Sequence, residues 1–304
     1  LHVATRHSPL SPFEKWAKDL SKGSGRKHLP GAFWSQSKQF KHIDTGALKK
    51  TFSLRHHVAS QFRPAAAKCL YRLFDAKNVF DCSMGWGDRL TAFLATPHTE
   101  RYVGTDPNIK LHKEYEAQIE LYGSALENVY GIKKKVEHLA LPAEDIDYSK
   151  YKNNFDFIFS SPPYFDTEKY SDDEGQSYLN YDTVDSWLKN FMFKVIDGMW
   201  EALQDNGVIA INITDQRIKG DEIINKICDP MNDHFASKKG SSYIGCIGLE
   251  MAARMGQGAS DAPKGTKNCE PIWIWGKNNG GKVVQDYYEV KRKQGLTYVS
   301  TGSW

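Results

Sequence analysis

The sequence predicts an α/β fold, a mostly parallel sheet with helices on both faces, and three observations lead there. From residue 63 onward, short β-branched or aromatic runs alternate with stretches of helical periodicity. A turn rich in glycine follows the first of those runs, and acidic residues stand at the ends of the first three.

The elements follow in order. Residues 1–60 mix helix-like pieces, such as SPFEKWAKDL at 11–20, with loop composition, and predict no sheet. RPAAAKCLYRLF (63–74) predicts a helix, with Pro64 in the first turn and alanines behind it. NVFDCS (78–83), RYVGTD (101–106), KVEHLA (135–140), FDFIFS (155–160) and GVIAINIT (207–214) predict strands, each bounded by Gly, Pro, Asn or Asp. Helical periodicity fills 88–95, 108–122, 183–204 and 220–229. YIGCIGL (243–249) and EPIWIWGK (270–277) are two further strands with no helix between them, so an antiparallel member should close the sheet.

Composition bounds the rest. The chain has 304 residues, 40% hydrophobic and 25% charged, ordinary values for a globular protein with a full core. No run approaches the roughly 18 apolar residues of a membrane span, and no signal-peptide pattern is present, so an intracellular, cytoplasmic setting without membrane contact is expected. Cysteines at 69, 82, 228, 246 and 269 form no C-x-x-C pair and no zinc spacing; reduced thiols and no metal are expected. Charge is uneven. Residues 1–63 hold 12 Lys and Arg against 3 Asp and Glu, whereas residues 64–304 hold 28 against 34. The reading is a basic N-terminal extension, 1–62, in contact with nucleic acid, then a body over 63–277 and a tail over 278–304. A solvated basic surface is the alternative.

Two stretches carry chemistry. In DCSMGWGDRL, Asp81 precedes Gly85 and Gly87, which let the backbone turn sharply beside a ligand at the next helix. Asp106 ends the second strand, placed for a ribose, and Asp145 follows the third. Together these acids suit a ligand containing adenosine, while the missing G-x-G-x-x-G and G-x-x-x-x-G-K patterns disfavour NAD and nucleoside triphosphates. Beyond the fourth strand comes Ser161-Pro162-Pro163-Tyr164. Its prolines fix φ and preset the carbonyl directions. The segment therefore offers acceptors, from the Ser161 hydroxyl and the Ser161 and Pro162 carbonyls, with the Tyr164 ring beside them. That set suits a planar group bearing an NH2, whose hydrogens are accepted while its face is stacked.

These residues resemble the class I S-adenosylmethionine-dependent DNA amino-methyltransferases that act on cytosine N4 or adenine N6. SSPPY after FDFIF is similar to the catalytic motif of that family, FDCSMGWG to its cofactor motif, and EPIWIWGK to its last strand. The resemblance, over 63–276, implies a Rossmann-like, seven-stranded sheet of order 3-2-1-4-5-7-6 and S-adenosyl-L-methionine as cofactor. Asp81, Gly85 and Gly87 would contact its methionine end, Asp106 its ribose hydroxyls and Asp145 its adenine amine, with Ser83 and Ser160 also in the cofactor site. Ser161, Pro162, Pro163 and Tyr164 would hold a flipped-out base of DNA. Serine in the first motif position leans toward cytosine N4. Trp86 and Cys82 depart from the usual motif, and no sizeable target-recognition domain is legible. The basic segment, the loop at 254–268 or a protein partner are candidates for that task, in a setting such as restriction-modification or phage self-protection. The acidic stretch 165–182 reads as a lid or a plain loop. RNA methylation at guanine N2 or adenine N6, a catalytically idle nucleic-acid-binding subunit and a protein amide methyltransferase are the other readings.

Overall fold

A computed structural model describes residues 62–165, 180–217, 223–250, 269–282, 284–286 and 289. The expectations for the basic segment up to residue 61 and for most of the two loops, 166–179 and 251–268, lie outside the described residues. Apart from Glu250, the described residues belong to the larger of two compact units, Phe62–Glu168, Asp173–Leu249 and Cys269–Trp304.

Helix α1 (Pro64–Leu73) starts on its proline, whose missing N–H is one the first turn would leave unpaired, and leads to β1 (Asn78–Asp81). Asp156 accepts the Lys77 and Asn78 backbone N–H groups, each at 2.8 Å, so β1 begins tied to its neighbour β4. Then come α2 (Asp88–Leu94), β2 (Arg101–Thr105), α3 (Ile109–Tyr130) and β3 (Lys135–Leu139). Two single 3-10 turns, Ala143–Asp145 and Tyr148–Tyr151, lead into β4 (Phe155–Ser160). Helix α4 (Val184–Trp187) runs through a π turn, Leu188–Met192, into α5 (Phe193–Ala202) and β5 (Leu203–Asn212). After α6 (Cys228–Ala236), strands β6 (Ser241–Glu250) and β7 (Cys269–Lys277) complete the sheet.

Seven strands lie in the order β3-β2-β1-β4-β5-β7-β6. The pairs β2–β3, β1–β2, β1–β4 and β4–β5 are parallel, and β5–β7 is antiparallel. This is the Rossmann-like strand order, 3-2-1-4-5-7-6, expected from the sequence. Central strands are apolar on both faces because both faces are covered. Val79, Phe157, Phe159, Val208 and Ala210 join one core with Leu70, Tyr71 and Phe93. Their neighbours Phe80, Ile158, Ile209 and Ile211 join the other with Trp187, Ile196, Met199 and Phe235.

Two helices differ from expectation. Helix α3 runs to Tyr130 rather than 122, passing through Gly123 and ending at Gly131, whose left-handed φ of +68° caps it with its N–H on the Glu127 carbonyl. The helix expected over 220–229 is not formed: Ile223–Asn225 pair with Gln216–Arg217, and α6 begins only at Cys228. Consecutive β-branched Ile223 and Ile224 favour extended backbone. The helix start is fixed instead by Asp215, whose Oδ1 accepts the Ile227 and Cys228 N–H groups at 2.7 and 2.8 Å.

Candidate active site

Because β1 to β4 are parallel, their C-terminal ends open on one edge, where ligands of such sheets bind. At the end of β1, Asp81 is fully buried. Its carboxylate accepts from Arg89 Nε (2.7 Å) and Nη2 (3.2 Å), the Tyr102 hydroxyl (2.7 Å), Ser160 Oγ (2.8 Å) and the Ser83 backbone N–H (3.1 Å). Donors thus satisfy both oxygens of this buried carboxylate without water. The Arg89 guanidinium also donates to the Ser83 carbonyl. Cys82 beside it is buried, and burial lifts its thiol to about 11, so it is an inert packing residue.

The turn that follows hangs between strands. Met84 N–H donates to the Thr105 carbonyl (2.9 Å) and Gly85 N–H to Asp106 Oδ2 (2.9 Å). Gly85 has φ +55° and Gly87 φ +80°, both left-handed. A Cβ on Gly85 would meet nothing within 4 Å, so the turn leaves open room there. A Cβ on Gly87 would lie 2.5 Å from Gln118 Oε1. Gln118 is itself engaged, accepting from Thr91 Oγ1 at 3.1 Å and donating to the Trp86 carbonyl at 3.0 Å. Trp86 packs against the core.

Asp106 is half-buried, and its other oxygen accepts the Asn108 N–H at 2.9 Å. Burial pushes its carboxyl up to about 6, against the pull of those two N–H groups. The Asp106 carbonyl accepts from His112 Nε2 (2.8 Å), and His112 Nδ1 meets His138 Nδ1 at 2.8 Å. Asp145, itself exposed, closes the 3-10 turn after β3 at the same edge. Its neighbour Glu144 accepts from the Tyr181 hydroxyl at 3.1 Å.

Across from the turn, β4 ends on Ser160, fully buried and bonded to Asp81, and the chain then leaves the sheet. Ser161 is half-buried, and its hydroxyl has no partner among the described residues. Pro162 is buried. The Tyr164 hydroxyl donates to Glu270 Oε1 (2.5 Å) and lies 3.3 Å from the Asn212 carbonyl. Phe165 follows in the left-handed region, φ +52°, with its ring 6.2 Å from that of Trp187. A buried aromatic held there marks backbone fixed by its surroundings.

Hydrogen bonds thus join Asp81 with Ser83 and Ser160, and Gly85 with Asp106, while the side chains of Asp145 and Ser161 make no such link among the described residues. Sequence reading missed Arg89, Tyr102, His112 and Glu270. Arg89 carried a weak signal, being a charge in the first turn of a helix otherwise facing a core.

Residues 155–297 match the family model described as DNA methylase, of the N6 and N4 type. This part of the chain, just under half of it, is similar to the DNA methylase family. The matched stretch takes in β4, the Ser161–Tyr164 tetrapeptide, β5 and β7. No curated protein matches the sequence. Among solved structures, PH0851 is similar at 10% identity over 72% of this chain and 46% of that one, with a TM-score of 0.44. The chain thus spans less than half of that protein. The N-methyltransferase NodS from Bradyrhizobium japonicum WM9 is 11% identical over 70% of this chain and 94% of its own, with a TM-score of 0.40. A methyltransferase from Pyrococcus furiosus is 13% identical over 70% and 82%, with a TM-score of 0.41. Among the described residues, no helix is long and apolar enough to cross a membrane.

Proposed function

We propose that the protein transfers a methyl group from S-adenosylmethionine to an exocyclic amino group of a DNA base, cytosine N4 or adenine N6. The observation that carries this reading is the exit from β4, where a Ser161 hydroxyl with no partner among the described residues and an anchored Tyr164 ring follow one another across two prolines, within the stretch of the DNA methylase match.

The donor set on the other side of the edge fits the cofactor. Gly85 leaves room that a side chain would fill, and Asp106 keeps carboxylate lone pairs beyond those used by the two N–H groups, able to accept from ribose hydroxyls. Asp145, exposed after β3, would accept from the adenine amine. Ser83 and Gly87 shape the turn at the methionine end. Asp81 and Ser160 act one step back, holding the turn and the tetrapeptide in place. S-adenosylmethionine, when bound, supplies an electrophilic methyl group.

The tetrapeptide orients the amine toward it. Ser161 Oγ and the Ser161 and Pro162 carbonyls accept the amine hydrogens, which aims the nitrogen lone pair, and Tyr164 stacks on the base after it leaves the duplex. The basic segment 1–62 supplies phosphate contacts.

Incubation with labelled S-adenosylmethionine and separate DNA, RNA and protein substrates, followed by nucleoside analysis, tests this. Label in N4-methylcytosine or N6-methyladenine of DNA is expected. Label confined to RNA or protein, or no binding of the cofactor, refutes it. Ser161→Ala with Tyr164→Ala should lower turnover at least ~100-fold with cofactor affinity nearly unchanged.

A further inference from the structure

We propose that Glu270 is a positioning residue that fixes the Tyr164 ring for stacking on the target base; the inference rests on the reading under Proposed function. Stacking alone needs only an aromatic face, and phenylalanine would supply one. A tyrosine adds a hydroxyl, and here that hydroxyl is held by a carboxylate 106 residues further along the chain, Glu270 Oε1 at 2.5 Å. Bonds from a neutral donor to an ionised acceptor are among the stronger and shorter hydrogen bonds of proteins, and they fix direction as well as distance.

The acceptor is mounted on a rigid frame. Asn212, 1% exposed at the end of β5, donates from Nδ2 to the carbonyl of Pro271, the residue next to Glu270, at 3.0 Å. Two residues further along, Trp273 Nε1 donates to the Ile213 carbonyl at 3.0 Å. The start of β7 is therefore bound to the end of β5 at Pro271 and again at Trp273, and the Asn212 carbonyl lies 3.3 Å from the Tyr164 hydroxyl. On its other side Tyr164 is followed by Phe165, fixed in the left-handed region against Trp187. The ring is held at its hydroxyl by β5 and β7 and at its backbone by the turn. Swinging it costs the bond to Glu270, so the stacking surface is set before a base arrives.

The test uses the full chain, unmethylated plasmid DNA and labelled S-adenosylmethionine, with cofactor affinity measured separately by calorimetry. Glu270→Ala should lower kcat about tenfold, the scale of one charge-assisted hydrogen bond, with the cofactor Kd unchanged. Glu270→Gln, whose amide oxygen still accepts, should return to within about threefold of the unaltered protein. Tyr164→Phe should match Glu270→Ala, and the double variant should be no worse than either, because both remove one bond. Wild-type turnover in Glu270→Ala, or losses that multiply in the double variant, overturns the assignment while DNA methylation by the unaltered protein stands. If Glu270→Ala does not fold, Tyr164→Phe removes the same bond from its other end, and wild-type turnover there overturns it equally. No label in DNA from the unaltered protein overturns both readings together.

Discussion

Arg89→Met is the sharpest test of how the cofactor side is built. The Arg89 and Asp81 side chains are 5% and 0% exposed, so neither charge is screened by water. Methionine keeps most of the stem that packs by Phe62 and Phe159, whose rings lie 5.6 and 5.9 Å from the guanidinium carbon. What it removes is the cation. Asp81 is then left buried with only neutral donors, the Ser160 and Tyr102 hydroxyls and the Ser83 N–H. Breaking a buried pair from one side costs about 3–5 kcal/mol. At about 2–4 °C per kcal/mol for a body of this size, Tm should fall by roughly 6–20 °C. The urea midpoint should drop at unchanged m, and S-adenosylmethionine should bind more weakly, since the Ser83 carbonyl loses its anchor. Adding Asp81→Asn should recover part of the loss, with a coupling of about 1–3 kcal/mol. A loss below about 1 kcal/mol for Arg89→Met, or a strictly additive double variant, would refute the reasoning.

Two further predictions concern the turn and its acid. Burial raises the Asp106 carboxyl to about 6, so the folded chain holds that proton more tightly than the unfolded chain does. The contribution of this group to stability therefore falls as pH rises from about 4 to 6. Cofactor affinity should rise over the same window as the acceptor ionises, and Asp106→Asn should flatten that part of a calorimetric pH profile; an unchanged profile would assign the titration elsewhere. Gly87→Ala should lose at least about 1–2 kcal/mol in urea unfolding, from the left-handed φ of +80° and the 2.5 Å approach to Gln118. Adding Gln118→Ala should relieve the clash but not the backbone term, and a wild-type midpoint for Gly87→Ala alone would contradict both.

Much of the fold is legible in the sequence because the central strands are apolar on both faces and bounded by turn residues. FDFIF and VIAIN read as strands without reference to anything else. The failure at 220–229 has a local cause: DEIINKICD has a helical spacing of isoleucines, yet the helix start depends on Asp215, which hydrogen-bonds to it from beyond the segment. The site divides in the same way. Gly85, Gly87, Asp106 and the tetrapeptide stand out in the sequence because they lie at short, set distances from strand ends. Arg89, Tyr102 and Glu270 do not, because each acts through a partner at another place in the sheet. Glu270 in particular reads as a charge before a strand, and its meaning appears only when β7 is set beside β5.

The buried acid at the end of β1 ties the two halves of the crevice together. Asp81 takes the Ser83 N–H on one side and Ser160 Oγ on the other, while β1 and β4 pair through Val79 with Phe157 and Phe80 with Ile158. Ser160 directly precedes the residue that would accept the amine, and Ser83 lies two residues before the glycine that leaves room for the donor. Under the proposed function, one carboxylate therefore links the side that would hold the donor to the side that would hold the acceptor. Direct transfer needs reacting atoms about 3–3.5 Å apart, and a misplacement of about 1 Å can cost two orders of magnitude. An acid in contact with solvent and ligand would move with each. An acid sealed among Arg89, Tyr102 and Ser160 does not, and that is the physical advantage of burying a charge where the chain could have exposed it.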